Sequence, residues 1–167
     1  MDRPDHPAIP WPGFAAERAF VLPLQAALMA TPFGERCQID GVRLARKREF
    51  HVTVLDREMA RAAAGYGEPR LRALYASLHW APRRTGRYAL LHRSKHNGTD
   101  ALECWSLIEY LHLPAMYAFR AELARMLGPA FDHPVPHVTH LVHGDPTGIG
   151  VPDVRALATL LVRTVEP

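Results

Sequence analysis

The sequence predicts an α+β domain built mainly on antiparallel sheet. Three observations carry this. Segments with a two-residue apolar period are interspersed with segments of helical spacing, and the order is mixed rather than a strict strand–helix alternation. The length of 167 residues suits one compact domain or two small lobes sharing a core. A hydrophobic content of 48% is enough for an ordinary globular interior.

The elements follow in order. Residues 1–13 carry prolines at 4, 7, 10 and 12 and read as an extended, partly ordered arm ahead of a single domain over 14–167. Phe14 to Ala30 reads as a helix broken at Pro23, and Thr31-Pro32-Phe33-Gly34 as punctuation. Gln38 to Gly41 looks like a strand end and turn. Phe50, Val52 and Val54 alternate with Glu49, His51 and Thr53, which makes a strand with one apolar and one polar face. Glu68 to Leu78 is a helix with Pro69 in its first turn. Arg87 to Arg93 is a strand, Ser94 to Asp100 a loop, and Cys104 to Leu113 a further strand. Pro114 opens a helix that Gly128-Pro129 stops after Leu127. Val135 to Val142 is another strand, Gly144 to Gly150 a loop beside a cleft, and Pro152 to Val162 a last helix.

The bulk properties exclude some classes of protein. No apolar run is long enough for a membrane helix. The nearest thing to a signal h-region, Phe20 to Ala30, follows a proline-interrupted stretch with Asp2, Asp5 and Glu17, which is wrong for a signal n-region. Cys37 and Cys104 are far apart without metal-like spacing, so a reducing cytoplasm is expected rather than a disulfide scaffold. A net charge of +3 mildly favours anionic partners.

Ten histidines are the unusual part of the composition. Metal binding, acid–base chemistry and chance all compete to explain them. Three His-x-Ser/Thr triplets occur, at His51-Val52-Thr53, His92-Arg93-Ser94 and His137-Val138-Thr139. The first and third have an apolar middle residue and lie in strand-like segments 86 residues apart, whereas the second runs into a polar loop. In a strand, residues i and i+2 face the same way. Two such strands side by side would turn two imidazoles and two hydroxyls into one cleft. A neutral imidazole can take a proton and a charged one can give a proton near neutral pH. Threonine hydroxyls can donate to non-bridging phosphate oxygens. The set suits phosphoryl transfer without a metal.

Phe50-His-Val-Thr-Val-Leu55 and Pro136-His-Val-Thr-His-Leu141 resemble the paired motifs of the two-histidine (2H) phosphoesterase superfamily, which includes bacterial 2′-5′ RNA ligase-like proteins and cyclic phosphodiesterases. The resemblance implies a bilobal fold with pseudo-twofold symmetry, one motif per lobe and a phosphate cleft between them. It implies that His51 and His137 are the acid–base pair and that Thr53 and Thr139 bind phosphate. The expected activity is hydrolysis of 2′,3′-cyclic phosphates on RNA ends or small nucleotides, by a monomer with no cofactor and no metal. His140 departs from the family pattern, which has an apolar residue there. Alternation turns it away from His137, to a face under helices where it can hydrogen-bond a backbone carbonyl.

Several readings stand beside these. His143 shares the His137 face by alternation and is expected to line the cleft rim as a substrate contact. Arg48 belongs to the basic run Arg43, Arg46, Lys47 and Arg48, which forms either a solvated hairpin or a phosphate-steering rim. His133, His137, His140 and His143 form a rival metal cluster, against which their spacing argues. Trp105, Tyr88 and Tyr110 are expected in the core rather than stacked on a base. The same four catalytic side chains would also serve 2′-5′ linkage chemistry, or a nucleotide-binding module without turnover.

Overall fold

The computed structural model describes residues 5–167. Eight strands and four α-helices are found among them, and every strand pair is antiparallel. Strands β1 (Phe20–Leu24) and β4 (Phe50–Leu55) form a two-stranded sheet. The other six are β2 (Arg36–Ile39), β3 (Val42–Arg46), β5 (Arg83–Asn97), β6 (Asp100–His112), β7 (His137–His143) and β8 (Leu161–Val165). They form one sheet in the order β2-β3-β7-β6-β5-β8. The expected α+β class with antiparallel sheet is what the chain forms.

Three apolar clusters organise these elements. The largest joins Leu22, Phe50, Val52 and Val54 of the small sheet to helices α2 (Glu68–Ala76) and α3 (Pro114–Leu127), and it reaches Val138 on β7. The six-stranded sheet is buried on both faces. Leu90, Leu107 and Leu141 lie on one side. Leu91, Cys104 and Ile108 lie on the other, under Ile149, Val151 and helix α4 (Val154–Leu160). Burial on both faces explains why the middle of β5, Tyr88-Ala89-Leu90-Leu91, is continuously apolar.

The first motif owes its presentation to this core. Phe50, Val52 and Val54 are buried, which turns His51 and Thr53 to the opposite, partly open face. Asp56 then caps α1 (Arg57–Ala63) by accepting from the Met59 N–H at 2.8 Å. Arg120 of α3 is fully buried and donates to the carbonyls of Val54, Phe131 and Pro152, so it holds the end of β4 against the loops that flank β7.

The structure corrects three expectations about the elements. Phe14 to Ala30 is not helical: Phe20, Leu22 and Leu24 are buried at a period of two and form β1. Pro23 is tolerated because it sits at an exposed position on a strand with one neighbour. Ser94 to Asp100 is not a loop but the tip of a long hairpin, with the chain reversing at Gly98, whose φ is +66°. Polar residues on both faces hid that extension, since it projects beyond the core. The last predicted helix ends at Leu160, and Leu161 to Val165 pairs with β5 instead. In the arm, His6 and Ile9 are buried, while Pro7, Ala8, Pro10 and Pro12 stay exposed. The Ile9 N–H donates to the Trp80 carbonyl at 2.8 Å, and the Tyr75 hydroxyl donates to the Ile9 carbonyl at 2.7 Å. The first four arm residues, Pro4 among them, lie outside the described residues.

Candidate active site

Strand β3 runs beside β7 as far as Lys47, whose backbone N–H donates to the His140 carbonyl at 2.9 Å. The chain then turns through Arg48 and Glu49 into β4. This route lays β4 against β7 where the two sheets meet. His51, Thr53, His137 and Thr139 consequently line one cavity of about 60 Å³. Lys47 lines it too, and Thr147, Ile149, Gly150 and Val151 roof it. At roughly 10–15 Å³ of such space for one water, it has room for a few waters or a phosphoryl group and not for a nucleoside. A larger groove of about 540 Å³ adjoins it, sharing Lys47, His51 and Thr147 and adding Arg46, Arg48 and Glu49.

His137 is buried, and its Nδ1–H donates to the Val135 carbonyl at 2.7 Å. That bond orients the ring and leaves Nε2 as the nitrogen available to the cavity. His51 is half-buried, and neither its ring nor the hydroxyls of Thr53 and Thr139 has a hydrogen-bond partner among the described residues. Both imidazoles are held below the ordinary histidine value. For His51 the causes are burial, then the charge of Lys47, then His137, against a smaller upward pull from Glu49. For His137 burial dominates, opposed by the Val135 hydrogen bond and reinforced by Lys47.

The roof is fitted closely to the second motif. Gly148 has φ +87°, and a Cβ there would lie 3.2 Å from Thr139 Cγ2. The Ile149 N–H donates to the buried Ser106 hydroxyl at 3.0 Å, and Asp145 accepts from the Thr147 N–H at 2.9 Å and from Lys95. The segment read as a cleft-side loop is therefore a strap tied down at several points.

The remaining predicted residues are dispersed. His143 does not line the cavity or the groove; it is exposed, with its Nδ1–H donating to the Arg43 carbonyl at 2.8 Å. A β-bulge accounts for this. Leu107 pairs with Leu141 and Ile108 with Thr139, so His140 is an extra residue and the alternation expected to carry His143 to the cleft is broken. Arg48 is exposed at the rim of the groove and does not enter the cavity. His92 lies against Trp105, with ring centroids 4.2 Å apart, and pairs with Glu103, away from the cavity. Tyr88 is fully buried, Tyr110 is half-buried beneath the Arg87 guanidinium, and Trp105 is partly buried against the core.

The C-terminal histidines have separate partners: His133 lies beside Asp132, while His137, His140 and His143 bond Val135, Glu109 and Arg43. Among the described residues no group of three or more His, Cys, Asp or Glu side chains is arranged to hold a metal ion. No helix among them is long and apolar enough to cross a membrane.

His140 is the second correction on β7. Its Nε2–H donates at 2.8 Å to the carboxylate of Glu109, not to a backbone carbonyl. Glu109 in turn accepts from Arg84 at 2.7 Å and from the Gly86 N–H at 2.8 Å, in full burial. Among the described residues Nδ1 of His140 has no hydrogen-bond partner, and the ring lies beside those of Phe50 and Tyr88, with centroids 5.9 and 6.0 Å away. A bare lone pair is tolerable there and an N–H is not, which makes His140 neutral with its proton on Nε2.

Comparison with known proteins yields no matching family model, no matching curated protein and no matching solved structure.

Proposed function

We propose that the chain is a metal-independent phosphodiesterase of the two-histidine kind, acting on 2′,3′-cyclic phosphates of RNA ends or small nucleotides. The observation that carries the reading is the convergence of His51, Thr53, His137 and Thr139 on one phosphoryl-sized cavity. The wider groove beside it, with Arg46 and Arg48, offers room and charge for the rest of a nucleotide. The reading includes two pseudo-symmetric lobes, one motif in each, and it gains support from the motif strands lying in separate sheets.

In this reaction a water oxygen forms a bond to phosphorus while the bond from phosphorus to one ribose oxygen breaks. One neutral imidazole takes the water proton. The other, protonated, gives its proton to the departing oxygen, and the product is a phosphomonoester. Thr53 and Thr139 donate to the non-bridging oxygens, where charge accumulates. Each imidazole ends in the other's starting state, and solvent exchange resets the pair.

The test is a screen of cyclic nucleotides and cyclic-phosphate-ended RNA followed by phosphorus NMR, in excess chelator. Conversion to a monoester is the expected result. Loss of activity in chelator, with recovery on adding zinc or manganese, would transfer the reading to a metallohydrolase.

The pH profile follows from the direction of the shifts. The active form needs one imidazole neutral and one charged, so activity peaks between the two apparent values of the pair. Both rings lie below their ordinary 6.5 in the free protein. The optimum of kcat/KM is therefore expected on the acidic side of 6.5, the alkaline limb being loss of the acid's proton. A profile of kcat/KM rising to a plateau well above 6.5 would contradict it.

A further inference from the structure

We propose that Lys47 is a cationic phosphate contact of this cavity, its ammonium group meeting a non-bridging oxygen alongside Thr53 and Thr139. The inference rests on the phosphoesterase reading and adds a residue that the paired motifs do not contain.

Position is the first argument. Lys47 is the residue at which β3 leaves β7 for β4, and the bond from its N–H to the His140 carbonyl fixes it one residue from Thr139 in register. Of the basic run, it alone lines the small cavity; Arg46 and Arg48 reach only the outer groove.

Its pairing is the second. Arg46 is matched by Glu35, Arg84 by Glu109, Lys95 by Asp145 and Arg163 by Asp40. Lys47 has no carboxylate within ion-pair distance among the described residues, and its one hydrogen bond from Nζ goes to the Thr147 carbonyl at 3.1 Å. An ammonium group has three donors, so two remain. A half-buried cation left without a counter-ion, beside two imidazoles whose protonation it opposes, is costly unless an anion arrives. Burial lowers the Lys47 pKa, with Glu49 and Asp145 acting more weakly in the other direction.

Chemistry is the third. The other four side chains supply at most one positive charge at a time, whereas the pentavalent transition state concentrates negative charge on the non-bridging oxygens. A fixed cation there stabilises that state more than the monoanionic substrate.

The experiment compares the wild-type chain with Lys47→Met and Lys47→Arg. Turnover of a 2′,3′-cyclic mononucleotide is one readout. Proton NMR titration of the His51 and His137 rings, with and without inorganic phosphate, is the other. Lys47→Met is expected to lower kcat/KM by about 10²-fold, to move both ring titrations upward, and to weaken phosphate binding. Lys47→Arg is expected to recover part of each. If Lys47→Met does not fold, Lys47→Gln, which also removes the charge, carries the test. Unchanged phosphate affinity and unmoved ring titrations in a folded variant would overturn the proposal. A wild-type chain that binds phosphate through Lys47 but turns over no cyclic phosphate would instead overturn the reaction and leave the anion site standing.

Discussion

Replacing either His51 or His137 with alanine is expected to lower kcat on a cyclic phosphate by at least about 10²-fold, because in the proposed reaction each supplies a general acid or base. The double variant should fall little further than the worse single one, since the two rings act as a unit. The environments of the rings differ, and the controls must respect that. His51 is partly open and its ring makes no hydrogen bond among the described residues, so loss of the ring should leave folding intact. His137 is buried and bonds Val135, so its truncation opens a void beside β7. His137→Gln, which keeps volume but cannot cycle a proton, separates the chemical effect from the structural one. His92→Ala is the internal control: its ring lies with Trp105 and Glu103, outside the cavity, and turnover should not change. If His92→Ala abolished activity while both motif variants kept it, the catalytic assignment would be wrong.

What could be read beforehand depended on where one physical signal dominated. The alternation of Phe50, Val52 and Val54 was strong because that strand has one buried face, and it placed His51 and Thr53 correctly on the other. The helix from Pro114 to Leu127 was bounded by Pro114 and Gly128, and both ends match. Phe20 to Leu24 is ambiguous in the sequence because its run of apolar residues is short, contains a proline and fits either period until the partner strand is known. The misplacement of His143 has a different origin. A bulge depends on pairing with another strand, and nothing within His137–His143 announces an extra residue. Lys47 was visible only as one member of a basic run. Its distinction from Arg46 and Arg48 comes from the turn between β3 and β4, which is a tertiary property. Glu109 sits in an apolar strand segment, Ser106-Leu-Ile-Glu-Tyr-Leu111. A lone carboxylate in such a run is itself a signal that a buried cation waits opposite.

Glu109→Gln is expected to destabilise the fold by about 3–5 kcal/mol, the range for removing one partner of a buried ion pair. The carboxylate is wholly buried and ties together Arg84, the Gly86 N–H, His140 and, through Arg84, the carbonyls of Leu28 and Ala30. An amide can accept from some of these donors, but its NH₂ meets another donor and the Arg84 guanidinium loses its counter-charge. Urea unfolding of the variant against wild type measures the loss. A midpoint shift equivalent to less than about 1 kcal/mol, the scale of an exposed pair, would mean that the network is solvated or readily rearranged. Acid supplies a second readout. Burial alone would raise the Glu109 pKa, but the bonds from His140, Arg84 and Gly86 outweigh it and leave the value below the usual 4.5. A carboxyl depressed on folding contributes stability above its unfolded value, and loses it as pH falls through the folded one. His51, His137 and His140 are also depressed, so each favours the fold above 6.5 and opposes it as acid forces protonation. All four groups act in the same direction. Wild-type stability should decline from about neutral pH downward, first through the histidines and then, below the ordinary carboxylate range, through Glu109. The Gln variant should keep a histidine-driven decline and show a smaller carboxylate step, the remainder coming from Asp145, which Lys95 and Thr147 hold at about 2. Because His140 in that variant loses the carboxylate that favours its charged form, its ring should resist protonation to still lower pH, which ring-proton NMR can follow directly.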